Sequence, residues 1–111
     1  MDKLENYRQI IRNVLLPYTK ITYANVPVRN IAVFDDEHGQ YLIMSDGWDG
    51  VRHLHGCLIH IEIIGNHLWV QRDGTEDGIT DELVASGIPK QDIVLGFQEP
   101  AVRKYTGYGV A

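Results

Sequence analysis

The chain is poor in cysteine, proline and basic charge, and each scarcity removes a class of protein. One cysteine, Cys57, stands among 111 residues. No internal disulfide can form, so a disulfide-stapled secreted domain is excluded and a reducing cytoplasm is the expected location. Four prolines and 11 glycines are scattered rather than clustered. They form no linker or low-complexity stretch, and no internal repeat is visible. No run approaches the roughly 18 apolar residues that a membrane span needs. The opening Met1-Asp2-Lys3-Leu4-Glu5-Asn6 is charged and polar, unlike a secretory signal. Ten Lys and Arg face 15 Asp and Glu, for a net charge of −5. The basic residues are spread from Lys3 to Lys104, and the single adjacent pair is Arg103-Lys104. Phosphate neutralisation supplies most DNA affinity, so direct DNA binding is disfavoured.

What is present describes a globular domain. Apolar residues make up 44% and charged residues 23%. A chain of this length buries roughly two-thirds of its unfolded surface, which suits one domain over residues 1–111.

Leu4, Tyr7, Ile11, Val14, Leu15 and Tyr18 recur at three- and four-residue steps and predict a helix from residue 2 to about 19. Asp2 is placed to cap it, and Pro17 to kink or stop it. Tyr23 to Arg29 reads as a connector. Four strands are expected next: Ile31–Asp35, Gln40–Ser45, Val51–Ile64 and His67–Arg72. Asp35-Asp36-Glu37-His38-Gly39 and Asp46-Gly47-Trp48-Asp49-Gly50 read as turns, and Gly65-Asn66 as a two-residue hairpin turn. Gly56 is the expected bend or bulge in the long strand. A hairpin closed at Gly65-Asn66 sets Ile63 against Leu68, Glu62 against Trp69, Ile61 against Val70 and His60 against Gln71. Its apolar face is then Ile59, Ile61, Ile63, Leu68 and Val70. Its polar face carries His60, Glu62, Trp69 and Gln71.

After the loop Asp73–Gly78, Ile79 to Ser86 reads as a short helix with Thr80 as N-cap and Gly87 as its end. Ile93-Val94-Leu95 is a short apolar run. The predicted fold class is α+β. An antiparallel meander of about four strands carries an N-terminal helix and a short C-terminal helix on one face.

Three constellations invite chemistry. His53, His55 and Cys57 alternate on a strand and share a face. Zinc takes such ligands, but the row spans roughly 13 Å, and structural zinc takes four ligands. The row reads as a half-exposed polar stripe ending in a buried cysteine. His60 and Glu62 offer a base and its orienter, with Cys57 expected on the opposite face and no Gly-x-Ser-x-Gly elbow to supply a nucleophile. Asp73–Gly78 has acidic residues but lacks the alternation and distal Glu of a calcium loop. Gly47-Trp48-Asp49-Gly50 lacks the lysine and spacing of a phosphate loop. No catalytic residue, metal or cofactor is expected.

Read in order, these residues carry a family resemblance. Gly47-Trp48 through Arg52, then Gly56-Cys57 and His60-Ile61, match one central pattern. Leu68-Trp69-Val70-Gln71-Arg72-Asp73-Gly74-Thr75-Glu76 matches another. Glu82-Leu83-Val84, Gly87-Ile88-Pro89-Lys90 and Asp92–Phe97 follow in order, with Tyr7–Ile11 before them and Val110-Ala111 after. On these residues the chain resembles the XisI family of cyanobacterial fdxN element excision controlling factors, over about residues 4 to 111. Gln98, where many relatives carry His, and Gly107-Tyr108-Gly109 depart from the pattern.

The resemblance implies a role in programmed excision of a DNA element during heterocyst differentiation, a companion protein XisH, and a separate recombinase that cuts. It implies no catalytic residue in XisI-like chains. The expected function is therefore a non-catalytic regulatory factor acting through a XisH-like partner. The alternatives are an immunity-type inhibitor restraining a nuclease-like partner and a small hydrolase using His60 and Glu62. Aromatic and Arg residues are enriched at binding hot spots, and the candidates for partner contact are Trp48, Arg52, His60, Glu62, Trp69, Gln71, Arg72, Tyr105 and Tyr108. The tail from Tyr105 to Ala111 has two tyrosines and no charged side chain. It is expected to be ordered against this domain or a neighbouring copy, as in a homodimer.

Overall fold

A computed structural model describes residues 2–23 and 27–110. Helix α1 runs Lys3–Leu15, with the Asp2 side chain accepting from the Glu5 amide at 2.8 Å. Pro17 cannot donate the next helical bond, and the chain tightens into a 3-10 turn over Leu16–Lys20. Five strands follow: β1 Val28–Asp35, β2 Gln40–Asp49, β3 Arg52–Ile64, β4 His67–Asp73 and β5 Ile93–Leu95. Helix α2, Ile79–Ala85, lies between β4 and β5. The strands pair in chain order, antiparallel from β1 to β4, with β5 joining β4 in parallel. The expected meander is present, and the Ile93–Leu95 run adds its fifth strand.

One row of side chains shows how the core is built. Phe34, Tyr41, Ile61, Val70 and Leu95 are successive cross-strand partners through all five strands. They share one face, and the apolar stripe of α1 (Tyr7, Ile11, Leu15) packs with them together with Ile79 and Leu83 of α2. Both α-helices therefore cover the same side of the sheet, and among the described residues no α-helix lies on the other.

Several sequence expectations need correction. The strand expected to stop at Ser45 continues to Asp49, and the reversal falls at Gly50-Val51 instead, where Gly50 adopts φ +62°. Trp48 is thus a strand residue, paired with His53. Gly56 pairs regularly with Ser45, and the bulge in β3 lies two residues on. Met44 pairs with Cys57 and Ile43 with Ile59, leaving Leu58 as the extra residue. A second bulge leaves Gln71 unpaired in β4, so His60 faces Arg72 and not Gln71. The N-cap position of α2 is Gly78, not Thr80. The first helical amide, Ile79, donates to Asp73 Oδ2 at 2.8 Å, and Asp73 Oδ1 accepts from the Thr75 amide and hydroxyl. That carboxylate is committed to organising the helix start.

Two carboxylates tie α1 to the rest. Asp92 accepts from the Tyr7 hydroxyl and pairs with Lys3 at 3.0 Å. Asp36 accepts from the Tyr41 hydroxyl at 2.6 Å and pairs with Arg12. Each is held below the usual carboxylate range, Asp92 chiefly by Tyr7 and Asp36 chiefly by Tyr41. Burial, followed by the bond to Asp92, pushes Tyr7 up to about 12. A carboxylate depressed in the folded state stabilises the fold above its unfolded value, near 3.9, and loses that contribution as pH falls towards its folded value. Chemical denaturation midpoints should therefore fall below about pH 4. The Asp36→Asn/Asp92→Asn double variant should start lower at pH 7 and lose less on acidification. A parallel loss in both proteins would remove these two groups as the cause.

Candidate partner-binding face

The uncovered side of the sheet can be read row by row from the strand register. Trp48 pairs with His53. The next row is Arg29, Asp46 and His55, then Ile31, Met44 and Cys57. Val33, Leu42, His60 and Arg72 follow, and the last row is Asp35, Gln40, Glu62, Trp69 and Val94. Cross-strand partners point to the same side, so all of these share the open face. The bulge at Leu58 decides this. It shifts β3 by one residue and brings His53, His55 and Cys57 onto the side that carries His60 and Glu62. Cys57 had been expected opposite them.

The middle of the face is apolar. Ile31 is 37% exposed and Val33 46%, and Leu42, Met44 and Cys57 are half-buried beside them. Polar networks stand at both ends. At one end Trp48 stacks on His53 with ring centroids 4.6 Å apart. His53 Nε2 lies 3.2 Å from Asp46 Oδ1, and Arg29 reaches the same carboxylate at 3.4 Å. The bond to His53, and after it Arg29, holds Asp46 below the usual carboxylate range. At the other end His60 Nε2 lies 2.7 Å from Gln40 Oε1, and the Gln40 amide donates to Glu62 at 2.8 Å. Gln71 donates to the other Glu62 oxygen at 3.2 Å. The Gln40 amide therefore stands between His60 and Glu62, and two amides bracket the carboxylate.

The remaining candidates are divided by the C-terminal segment, which crosses the β4–β5 end of the face. A 3-10 turn, Pro100–Tyr105, sets the Arg103 guanidinium 5.0 Å from the Trp69 ring centroid. Gly96 lets the chain pass close to β4, since a Cβ there would lie 2.3 Å from Gln71 Oε1 and 3.3 Å from the Trp69 ring. The Gly109 amide donates to the Ile93 carbonyl at 2.7 Å, and Gly109 bridges Val94. Tyr108 packs on the core, with Lys90 Nζ 5.6 Å from its ring centroid. The described part of the tail is therefore ordered against its own domain. Tyr105 projects, 78% exposed. Trp48, His60, Glu62, Gln71 and Arg72 lie on or border the open face. Arg52 sits beside the tip of the β2–β3 hairpin, opposite Asp49. Trp69 is shielded by Arg103, while Tyr105 and Tyr108 stand apart from the apolar centre.

The profile of the XisI protein family matches residues 1–110. The chain belongs to the XisI family. Two solved structures of Anabaena variabilis proteins share the fold. A XisI-like protein superposes with a TM-score of 0.85 at 31% identity, covering 99% of this chain and 100% of the other. The fdxN element excision controlling factor XisI superposes with a TM-score of 0.83 at 32% identity, with the same coverage of both chains. No curated protein matches.

For this XisI-family chain, the face offers little for nucleophilic chemistry. The Cys57 thiol donates to the Ile59 carbonyl at 3.2 Å, and burial pushes it above its ordinary value. A reactive cysteine needs the reverse shift. Among the described residues no three His, Cys, Asp or Glu gather as a metal site. A cavity of about 880 Å³ lies elsewhere, between the end of α1, the Gly74–Asp77 loop and α2, and neither His60 nor Glu62 lines it. Sequence reading missed Ile31, Val33, Leu42 and Met44 as surface residues. Their alternation with core residues was the available signal, but an alternating strand does not reveal whether a second layer covers its other face.

Proposed function

We propose that this protein is a non-catalytic regulatory factor in the excision of a DNA element, acting through a XisH-like companion that docks on the open sheet face. The observation that carries this reading is the uncovered apolar centre Ile31, Val33, Leu42 and Met44, set between two polar networks. Apolar ground with aromatic and hydrogen-bonding rims is what a specific protein interface uses. The net charge of −5 argues for a protein partner in place of DNA. The similarity to a protein described as an excision controlling factor supports the process. The separation of His60 from Glu62 by Gln40 argues against a paired base and orienter.

The test is co-purification with the XisH-like companion across a range of salt, with both proteins folded. A stable complex is the expected result, and no complex at any salt removes the reading. Expressing the companion alone separates control from restraint. Growth inhibition relieved by this chain would replace the regulatory role with the inhibitor role.

A further inference from the structure

We propose that a second copy of this chain adds to the sheet edge at β1, antiparallel to it, about a two-fold axis at Ala32. β1 is an eight-residue outer strand with continuous pairing to β2 and no bulge. Among the described residues no strand pairs with its outer side. The opposite edge is blunted, because β5 has three residues and Gly109 bridges it. The first half of β3 also extends past β4, but the Arg72 side chain and the Gly74 amide take its Cys57 and Leu58 carbonyls. Edge strands are normally protected by proline, bulges, charges or a covering segment. β1 contains neither proline nor bulge, its charges Arg29 and Asp35 lie near its two ends, and the Leu16–Lys20 turn meets it at Asn30. Its one buried polar residue, Asn30, holds it in register by bonds to the Tyr18 carbonyl, the Tyr23 hydroxyl and Ser45.

The order of side chains on β1 selects the occupant. Arg29, Ile31, Val33 and Asp35 share the open face. Antiparallel pairing centred on Ala32 sets Arg29 against the partner's Asp35 and Ile31 against the partner's Val33, each twice by symmetry. The strand is thus complementary to itself in charge and in apolar contact. Parallel in-register pairing would set Arg29 against its own copy, which like-charge repulsion opposes. Each copy has one such edge, so the assembly closes at two and does not propagate. The product is a continuous sheet in which both open faces lie on the same side, side by side. This inference does not depend on the companion reading, since it concerns the chain alone.

Sedimentation velocity across a concentration series tests it. A monomer–dimer equilibrium is expected. Arg29→Asp and Asp35→Arg should each weaken dimerisation about 30-fold, by turning both reciprocal attractions into repulsions. The Arg29→Asp/Asp35→Arg double variant should restore it to within about threefold. Arg29 and Asp35 are solvent-accessible side chains, so the monomers keep their fold. Cα atoms of facing antiparallel residues lie about 4.5–5.5 Å apart, within disulfide reach. In a Cys57→Ala background, Ala32→Cys should therefore oxidise to a covalent dimer, and Val28→Cys should not. A monomer at every concentration overturns the proposal. So does a dimer indifferent to both charge reversals, or one that Ala32→Cys fails to trap.

Discussion

Replacing Ile61 with alanine should lower stability by about 3–4 kcal/mol, a large part of the 5–15 kcal/mol that holds a domain of this size. Ile61 is fully enclosed, between Tyr41 on β2 and Val70 on β4. Removing its distal carbons loses their transfer free energy and leaves a cavity that five paired strands cannot close. Ile63 is the internal control. It lies on the same strand at the margin of the core and only partly buried, so Ile63→Ala should cost about 1 kcal/mol. Urea denaturation at neutral pH reads both. Equal losses would mean that the row through Tyr41, Ile61 and Val70 is not the centre of the core.

Leu42→Arg should weaken companion binding at least about 100-fold while changing stability by less than about 1 kcal/mol. Leu42 lies in the apolar centre of the open face, between Val33 and His60. An arginine there can extend into water in the free protein. Under a docked partner its charge would be desolvated without a counter-charge. Titration of the purified companion against the wild-type and variant chains measures this, with thermal melts confirming the fold. Tyr105→Ala, on the projecting end of the C-terminal turn, is expected to be near neutral. If Leu42→Arg binds normally and Tyr105→Ala does not, the docking surface is the tail and the sheet face has another use.

Much of the architecture follows from local patterns. The helical stripe of α1, its Asp2 cap and its stop at Pro17 are read from residue type and spacing, because each depends on neighbours within one turn. The β3–β4 hairpin follows from Gly65-Asn66 and the alternation on either side of it. The short parallel strand β5 was legible only as an apolar run. Its pairing with β4 depends on where α2 returns the chain, which spacing does not specify.

The candidate face was legible in part. His60, Glu62, Trp69 and Gln71 could be assigned to one polar side from the hairpin alone, and they stay there. The position of Cys57 could not, and the expectation for it was reversed by one residue. A strand read by strict alternation places Cys57 with Ile59 and Ile61, but the inserted Leu58 inverts every assignment before it. No residue in His53–Leu58 announces that insertion. Gly56, which looked suited to it, is regularly paired. The sequence by itself determined the α+β class with both helices on one face, the order of the helices and the first four strands, and the core stripes of α1 and of the β3–β4 hairpin, because apolar side chains at a two- or 3.6-residue period mark one side of an element. Only the tertiary structure decided that His53, His55 and Cys57 join the open face, that the tail covers Trp69, and that Ile31, Val33, Leu42 and Met44 stay uncovered. Those outcomes depend on which layers meet across the sheet, and that is a property of packing between distant segments rather than of any local run of residues.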